Sequence, residues 1–100
     1  METLNIYKIW VDHSLDAYSS AIVVAENEEA ARHIHPGTKS PERPVMGWND
    51  KTCRYDKPWY ESDELDLVYW TKPENINVEL VGITTSYAEG TVLCASYNAG

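Results

Sequence analysis

Two β-rich segments separated by a short polar turn open the chain, and they constrain the fold more than any other feature. The first reads LNIYKIWV and the second AYSSAIVVA, and neither contains Gly or Pro. β-Branched and aromatic residues in such runs are typical of strands. The intervening DHSLD is short enough to make the two strands antiparallel neighbours. Both alternating faces of the first strand are apolar, which predicts a strand covered on both sides.

A short helix is predicted directly after the second strand, in ENEEAARHIHPG. Asn27 is a favoured N-cap residue, and Glu28 and Glu29 suit the positive end of the helix dipole. Pro36 and Gly37 provide the stop signal. Because so short a helix is not stable alone, packing against the sheet must hold it.

The hydrophobic alternation of strands returns near the end of the chain, in INVELVGITT and GTVLCASY. The SYAEG between them is predicted to be a hairpin loop closed by Gly90. The sequence therefore predicts an α+β fold, with an antiparallel sheet of about four strands and one short helix. At 100 residues the chain is expected to form a single domain over residues 1–100.

Residues 37–75 break this pattern, since they contain four of the five prolines and three of the four tryptophans. A loop of this length is uncommon in a compact domain. Disordered segments are poor in aromatic residues, so we expect an ordered excursion anchored by the tryptophan rings. A short strand is predicted within it at DLVYW, residues 66–70.

The composition is acidic, with a net charge of −8. This charge argues against nonspecific nucleic-acid binding, which needs Lys and Arg to neutralise phosphates, and it favours partners with basic surfaces. No apolar run approaches the ~20 residues that span a bilayer. METLNIYKIW lacks the features of a signal peptide, and two cysteines make no disulfide framework. We therefore expect reduced thiols in a cytoplasm.

The polar residues form no recognisable catalytic or metal-binding motif. His33 and His35 would project about 200° apart on a helix and so could not share one ion, even with His13 nearby. Cys94 lies in an apolar alternating strand, where a cysteine is usually a small buried hydrophobe. Cys53 stands beside Arg54 but in no nucleophile motif. We expect no enzyme activity, no metal and no cofactor.

The stretch CRYDKPWYESDELDLVYW, residues 53–70, is the candidate functional segment. Binding energy at protein interfaces concentrates in aromatic anchors ringed by polar groups, and charge steers the encounter. The hypothesis is a partner-binding surface on the excursion, made of Trp48, Trp59, Tyr60, Glu61, Asp63, Glu64, Asp66, Tyr69 and Trp70. The alternative is that the rings cap the sheet while the charges solvate the loop.

Four segments of the chain resemble a family of small acidic proteins encoded by bacteriophages and prophages. They are YKIW, AIVVAENEEAARHIHP, WTKPENINVELVG and GTVLCASYNAG, which together make up about half of the chain; Pro44 to Leu65 lies outside them. The resemblance implies an accessory protein acting in the bacterial host cytoplasm. Proteins of this kind often bind and block a host factor, frequently one of a defence system.

Two other functions fit the composition. The protein could sequester a small nucleotide-like ligand, with Trp and Tyr stacking on a base and Arg43, Arg54 or Lys57 meeting its phosphates. In third place, its carboxylates could mimic the phosphates of DNA. A deep aromatic pocket would favour the nucleotide, and a flat aromatic and acidic patch would favour the protein partner.

Overall fold

A computed structural model of the protein describes residues 3–12, 17–64 and 70–98. It confirms the predicted α+β fold, with a four-stranded antiparallel sheet, a second sheet of two strands and one α-helix. The elements are β1 Leu4–Trp10, β2 Ala17–Ala25, α1 Glu28–Arg32, β3 Met46–Asn49, β4 Arg54–Pro58, β5 Asn77–Thr84 and β6 Val92–Asn98, with 3-10 turns at Trp59–Glu61 and Pro73–Asn75.

The hairpin of β1 and β2 forms the centre of the main sheet, as the sequence predicted. Tyr7 lies opposite Val23 and Ile9 opposite Ala21. These four side chains are buried in the main core, and α1 packs over the same face. On the other face Leu4 and Val24 are buried but Lys8 is exposed. The prediction of a strand covered on both sides therefore holds only at the Leu4 end of β1.

The prediction that β5 and β6 form a hairpin was wrong. The strand order is β5-β1-β2-β6, so β5 pairs with β1 and β6 pairs with β2 at the opposite edge. The connection crosses the end of the central hairpin, where the Gly90 amide donates to the Val24 carbonyl at 2.9 Å. Gly90 has φ +90°, a conformation that favours glycine, so it shapes a crossover instead of a tight hairpin loop.

The helix begins as predicted and ends early. The Asn27 side chain caps it by accepting a hydrogen bond from the Ala30 amide at 2.8 Å. It ends at Arg32, with His33 as the C-cap residue. His35 therefore lies beyond the helix, and its ring is buried with 2% exposed.

The excursion is ordered over its described residues and contains a hairpin, β3 and β4, that the sequence did not predict. Residues 65–69 lie outside the described part of the chain, and so does most of the predicted DLVYW strand.

Trp59 and Trp70 are 3% and 7% exposed and belong to the main core. The Trp59 Nε1–H donates to the His33 carbonyl at 3.1 Å, which fastens the excursion to the segment after α1.

Truncation of Trp59 is expected to destabilise the fold far more than truncation of its neighbour. Trp59→Ala removes a buried ring and leaves a cavity, a change that costs about 3–5 kcal/mol. Tyr60→Ala, at a position 37% exposed, is expected to cost about 1 kcal/mol, mostly from lost ring contacts. Urea denaturation of the two variants measures both values. Equal losses would contradict the core position of Trp59.

Candidate functional site

The predicted partner-binding residues do not form one surface. Trp59 and Trp70 are buried, so they cannot contact a partner and their assignment to the surface is corrected. Asp66 and Tyr69 lie outside the described residues. The other predicted residues are partly or fully exposed in the structure. They are Trp48, Tyr60, Glu61, Asp63 and Glu64.

The hairpin of β3 and β4 carries the part of the predicted site that is most firmly positioned. Its turn is closed by a bond of 2.8 Å from the Cys53 amide to the Asn49 carbonyl, and Cys53 adopts φ 54°. Gly47 packs closely against the chain that follows: a Cβ there would lie 2.7 Å from the Pro58 carbonyl oxygen and 2.8 Å from the Cβ of Ser62. The hairpin is therefore tied to the Trp59–Glu61 turn and the residues after it.

An aromatic pair stands on this hairpin. The rings of Trp48 and Tyr55 meet edge to face, with their centroids 5.1 Å apart. Trp48 Nε1–H donates to the Asp50 carboxylate at 2.8 Å, and the Trp48 amide donates to the Ser62 hydroxyl at 2.9 Å. Trp48 is partly exposed and Tyr55 is 52% exposed. The pair thus offers apolar ring surface held in one geometry.

Asp63 fixes the hairpin and is not a free carboxylate. It accepts hydrogen bonds from the Asp50 amide at 2.8 Å and from Lys57 Nζ at 2.9 Å. Its own amide donates to the Trp48 carbonyl at 2.8 Å. The Asp50 amide first, and then Lys57, hold the pKa of Asp63 below its usual range. We therefore assign Asp63 to positioning the hairpin.

Asp56 is a further carboxylate held within the hairpin. It accepts a hydrogen bond from the Thr52 hydroxyl at 2.8 Å. That bond first, and then the Asn49 side chain, keep the pKa of Asp56 below its usual range. Glu61 and Glu64 are exposed beside this hairpin. The hairpin and the residues after it therefore carry a negative margin at neutral pH, made of five carboxylates: Asp50, Asp56, Glu61, Asp63 and Glu64.

Tyr60 belongs to a different neighbourhood. Its ring packs edge to face on His33, with centroids 4.8 Å apart. Both residues line an open groove of about 490 Å³ together with Glu29, Arg32 and Glu74. Arg32 lies 3.8 Å from the Glu29 carboxylate, and its Nε donates to the Ile76 carbonyl. The structure thus separates Tyr60 from the Trp48 and Tyr55 pair.

None of three surface grooves that the structure shows among its described residues is a deep aromatic pocket. Besides the groove at Tyr60, an open one of about 550 Å³ lies between Leu4, Glu26 and the segment 85–89, and a cleft of about 130 Å³ adjoins His35 and Trp59. None of these three is lined by Arg43, Arg54 or Lys57, the cations proposed to bind phosphate.

Both cysteines are exposed free thiols. The expectation that Cys94 is a buried hydrophobe was therefore wrong, because β6 is an edge strand and its outer part is uncovered. Within residues 3–12, 17–64 and 70–98, no three side chains of His, Cys, Asp or Glu are grouped so as to hold a metal ion.

Tyr55 was missed as a site residue by the sequence analysis. A predicted hairpin would have identified Tyr55, because it lies two residues after the hairpin turn. The hairpin could not be predicted, since β3 and β4 have no clear alternation of apolar and polar residues. Without the hairpin, nothing in the sequence pairs Tyr55 with Trp48.

Comparisons with protein-family models, with curated proteins and with solved structures find no match for this chain. No helix among the described residues has the length and apolar character needed to cross a membrane. The assignment of a function therefore rests on the surface of the molecule.

Replacement of Asp63 by Asn is expected to loosen the hairpin. The pKa of Asp63 is lower in the folded protein than in the unfolded chain, so the ionised side chain stabilises the fold. This stabilisation is complete above the unfolded-state pKa of about 3.9, and it is lost as the pH falls through the lower pKa of the folded state. Hydrogen exchange of the Asp50 amide should therefore be slow at about pH 7 in the wild type and faster in Asp63→Asn. An NMR titration of the Asp50 amide shift should show the Asp63 transition with its midpoint below the unfolded-state value of about 3.9.

Glu61→Gln is the matched control for this prediction, since it removes a charge from an exposed neighbour without touching the Asp50 amide. Unchanged protection of that amide in Asp63→Asn would refute the positioning role.

Proposed function

We propose that this protein is a non-enzymatic binding protein that docks onto the basic surface of a partner protein. The surface we assign to it, called here the hairpin surface, consists of Trp48, Asp50, Tyr55, Asp56, Glu61 and Glu64. Trp48, Glu61 and Glu64 are among the partner-binding residues predicted from the sequence, and Asp50, Tyr55 and Asp56 are added from the geometry of the hairpin.

The observation that carries this proposal is the fixed pair formed by the partly exposed Trp48 and the exposed Tyr55. Large aromatic side chains are the commonest anchors at protein interfaces. Ring positions that are set before binding reduce the entropy lost on association. The bonds of Trp48 to Asp50 and Ser62 set them here.

The charge around the pair indicates the kind of partner. Five carboxylates and three cations lie between Met46 and Glu64, and one of those cations, Lys57, is bound to Asp63. With a net charge of −8 on the whole chain, the long-range field attracts a basic surface and speeds the encounter.

The family resemblance of the sequence supports a host factor, such as a component of a defence system, as the partner, and the bacterial cytoplasm as the place of action. We do not advance the two other functions. The cations Arg43, Arg54 and Lys57 do not line the described grooves. Lys51 and Arg54 interrupt the carboxylates of the hairpin, which makes a poor copy of a phosphate ladder.

The test is capture of partners from bacterial lysate by the immobilised protein at about 50 mM and about 500 mM NaCl. We expect a basic protein to be captured at low salt and lost at high salt. Trp48→Ala and Tyr55→Ala should each weaken capture about tenfold or more, as expected for anchor residues.

Tyr87→Ala is the matched control, because Tyr87 is 51% exposed, much like Tyr55 at 52%, but lies in the β5 to β6 connection. It should leave capture unchanged. Capture that survives both hairpin substitutions, or that Tyr87→Ala weakens equally, would refute the proposed surface. Detection of a substrate turned over by the purified protein would refute the non-enzymatic role.

A further inference from the structure

Strand β5 forms one edge of the four-stranded sheet and presents three large aliphatic side chains to solvent. It pairs with β1, and no other described strand lies on its outer side. Leu80, Val81 and Ile83 are 55%, 51% and 68% exposed. Edge strands of monomeric proteins are usually short, bulged, or protected by Lys, Pro or other charges. β5 has eight residues, and Glu79 is its only charged one.

The register with β1 shows which way these side chains point. Leu80 lies opposite Tyr7 and Ile83 opposite Asn5, and residues directly opposite each other share a face. Tyr7 belongs to the core under α1, so Leu80 and Ile83 lie on the helix side of the sheet. A register shift between Ile6 and Tyr7 lets these two residues, three positions apart, share that face.

Within β5 and its partner strand β1 the charges balance, whereas the whole chain carries −8. Glu79 lies opposite Lys8 on β1, on the face away from the helix. These two paired strands therefore offer a basic partner no excess of negative charge. The chemistry that fits this edge is a neutral, aliphatic, extended strand, and β5 is itself such a strand.

We propose that a second copy of this chain binds here, with β5 of one copy antiparallel to β5 of the other about a two-fold axis. Identical strands paired in this way form a closed, self-complementary interface. The two sheets would become one sheet of eight strands. Because the axis is perpendicular to the sheet, both helices would lie on the same side.

The faces select one register for this pairing. Side chains that lie opposite must share a face, so Leu80 pairs with Ile83 of the second copy and Glu79 pairs with Thr84 of the second copy. The aliphatic pair then occurs twice, between the two helices. Glu79 and Thr84 lie opposite Lys8 and Leu4, four positions apart on β1. The two Glu79 carboxylates are therefore separated by roughly 13 Å at ~3.3 Å per residue, beyond the Debye length of about 8 Å.

Salt distinguishes this self-association from the proposed binding of a basic partner. Two copies that each carry −8 repel one another at long range, so added salt should strengthen the dimer, whereas it should weaken the complex with a basic protein. The dimer does not depend on the hairpin surface, and either proposal can fail without the other.

Sedimentation equilibrium over a range of protein concentrations tests the dimer. We expect the dissociation constant of the wild-type dimer to fall roughly several-fold when the NaCl concentration rises from about 50 mM to about 500 mM. Leu80→Lys and Ile83→Lys should each weaken it about tenfold or more, since each buries a charge at the new interface. Leu93→Lys is the control: it makes the same change of charge on the other edge strand, at a side chain 36% exposed. A wild-type chain that stays monomeric throughout, or equal weakening by Leu93→Lys, would overturn the proposal.

A crosslinking experiment checks the register and the fold together. In a chain with Cys53→Ser and Cys94→Ser, the added pair Leu80→Cys and Ile83→Cys should form a covalent dimer on mild oxidation, because opposite Cβ atoms lie about 4.5–5.5 Å apart. Leu93→Cys in the same background provides the reference rate. Circular dichroism verifies that both variants are folded. Covalent dimers that form no faster than in the reference would exclude this interface.

Discussion

The packing of aromatic rings around His35 joins the long excursion to the sheet. Tyr18 and Trp59 approach the His35 ring edge to face at 5.5 Å each, and Trp70 approaches it at 6.5 Å. The Gly37 amide donates to His35 Nδ1 at 2.9 Å, which places the proton of the neutral ring on Nε2. Tyr18 comes from β2, and the two tryptophans come from the excursion, so one buried ring connects both parts.

This packing divides the aromatic residues of the excursion into an inner and an outer set. Trp59 and Trp70 complete the core that the short helix cannot cover alone. With that anchor in place, the β3 and β4 hairpin has a fixed base, and Asp63 orders its free end. Trp48 and Tyr55 are therefore held outside on a rigid support, as a docking surface requires. The same division explains why a single aromatic-rich segment serves both stability and the proposed binding.

The local elements could be predicted from the sequence, and the long-range arrangement could not. β1, β2 and the Asn27 cap are determined by residues close in sequence, so their patterns were sufficient. The positions of β5 and β6 depend on which strand occupies the centre of the sheet, and an apolar alternation does not encode that choice. The exposure of the predicted site residues could be predicted only in part for a similar reason: Trp59 and Trp48 lie in similar surroundings in the sequence, and only the packing of His35 determines which ring is buried.

Hydrogen exchange at the indole N–H groups tests most directly whether the excursion is anchored in the core. Trp59 Nε1–H is bonded to the His33 carbonyl inside the molecule, whereas Trp48 Nε1–H is bonded to Asp50 at the surface. We expect the Trp59 indole to exchange at least about a hundredfold more slowly than the Trp48 indole, because it is released only by opening of the core. Exchange of the two groups at similar rates would show that the Trp59 ring is not held in the core and that the excursion is not anchored there.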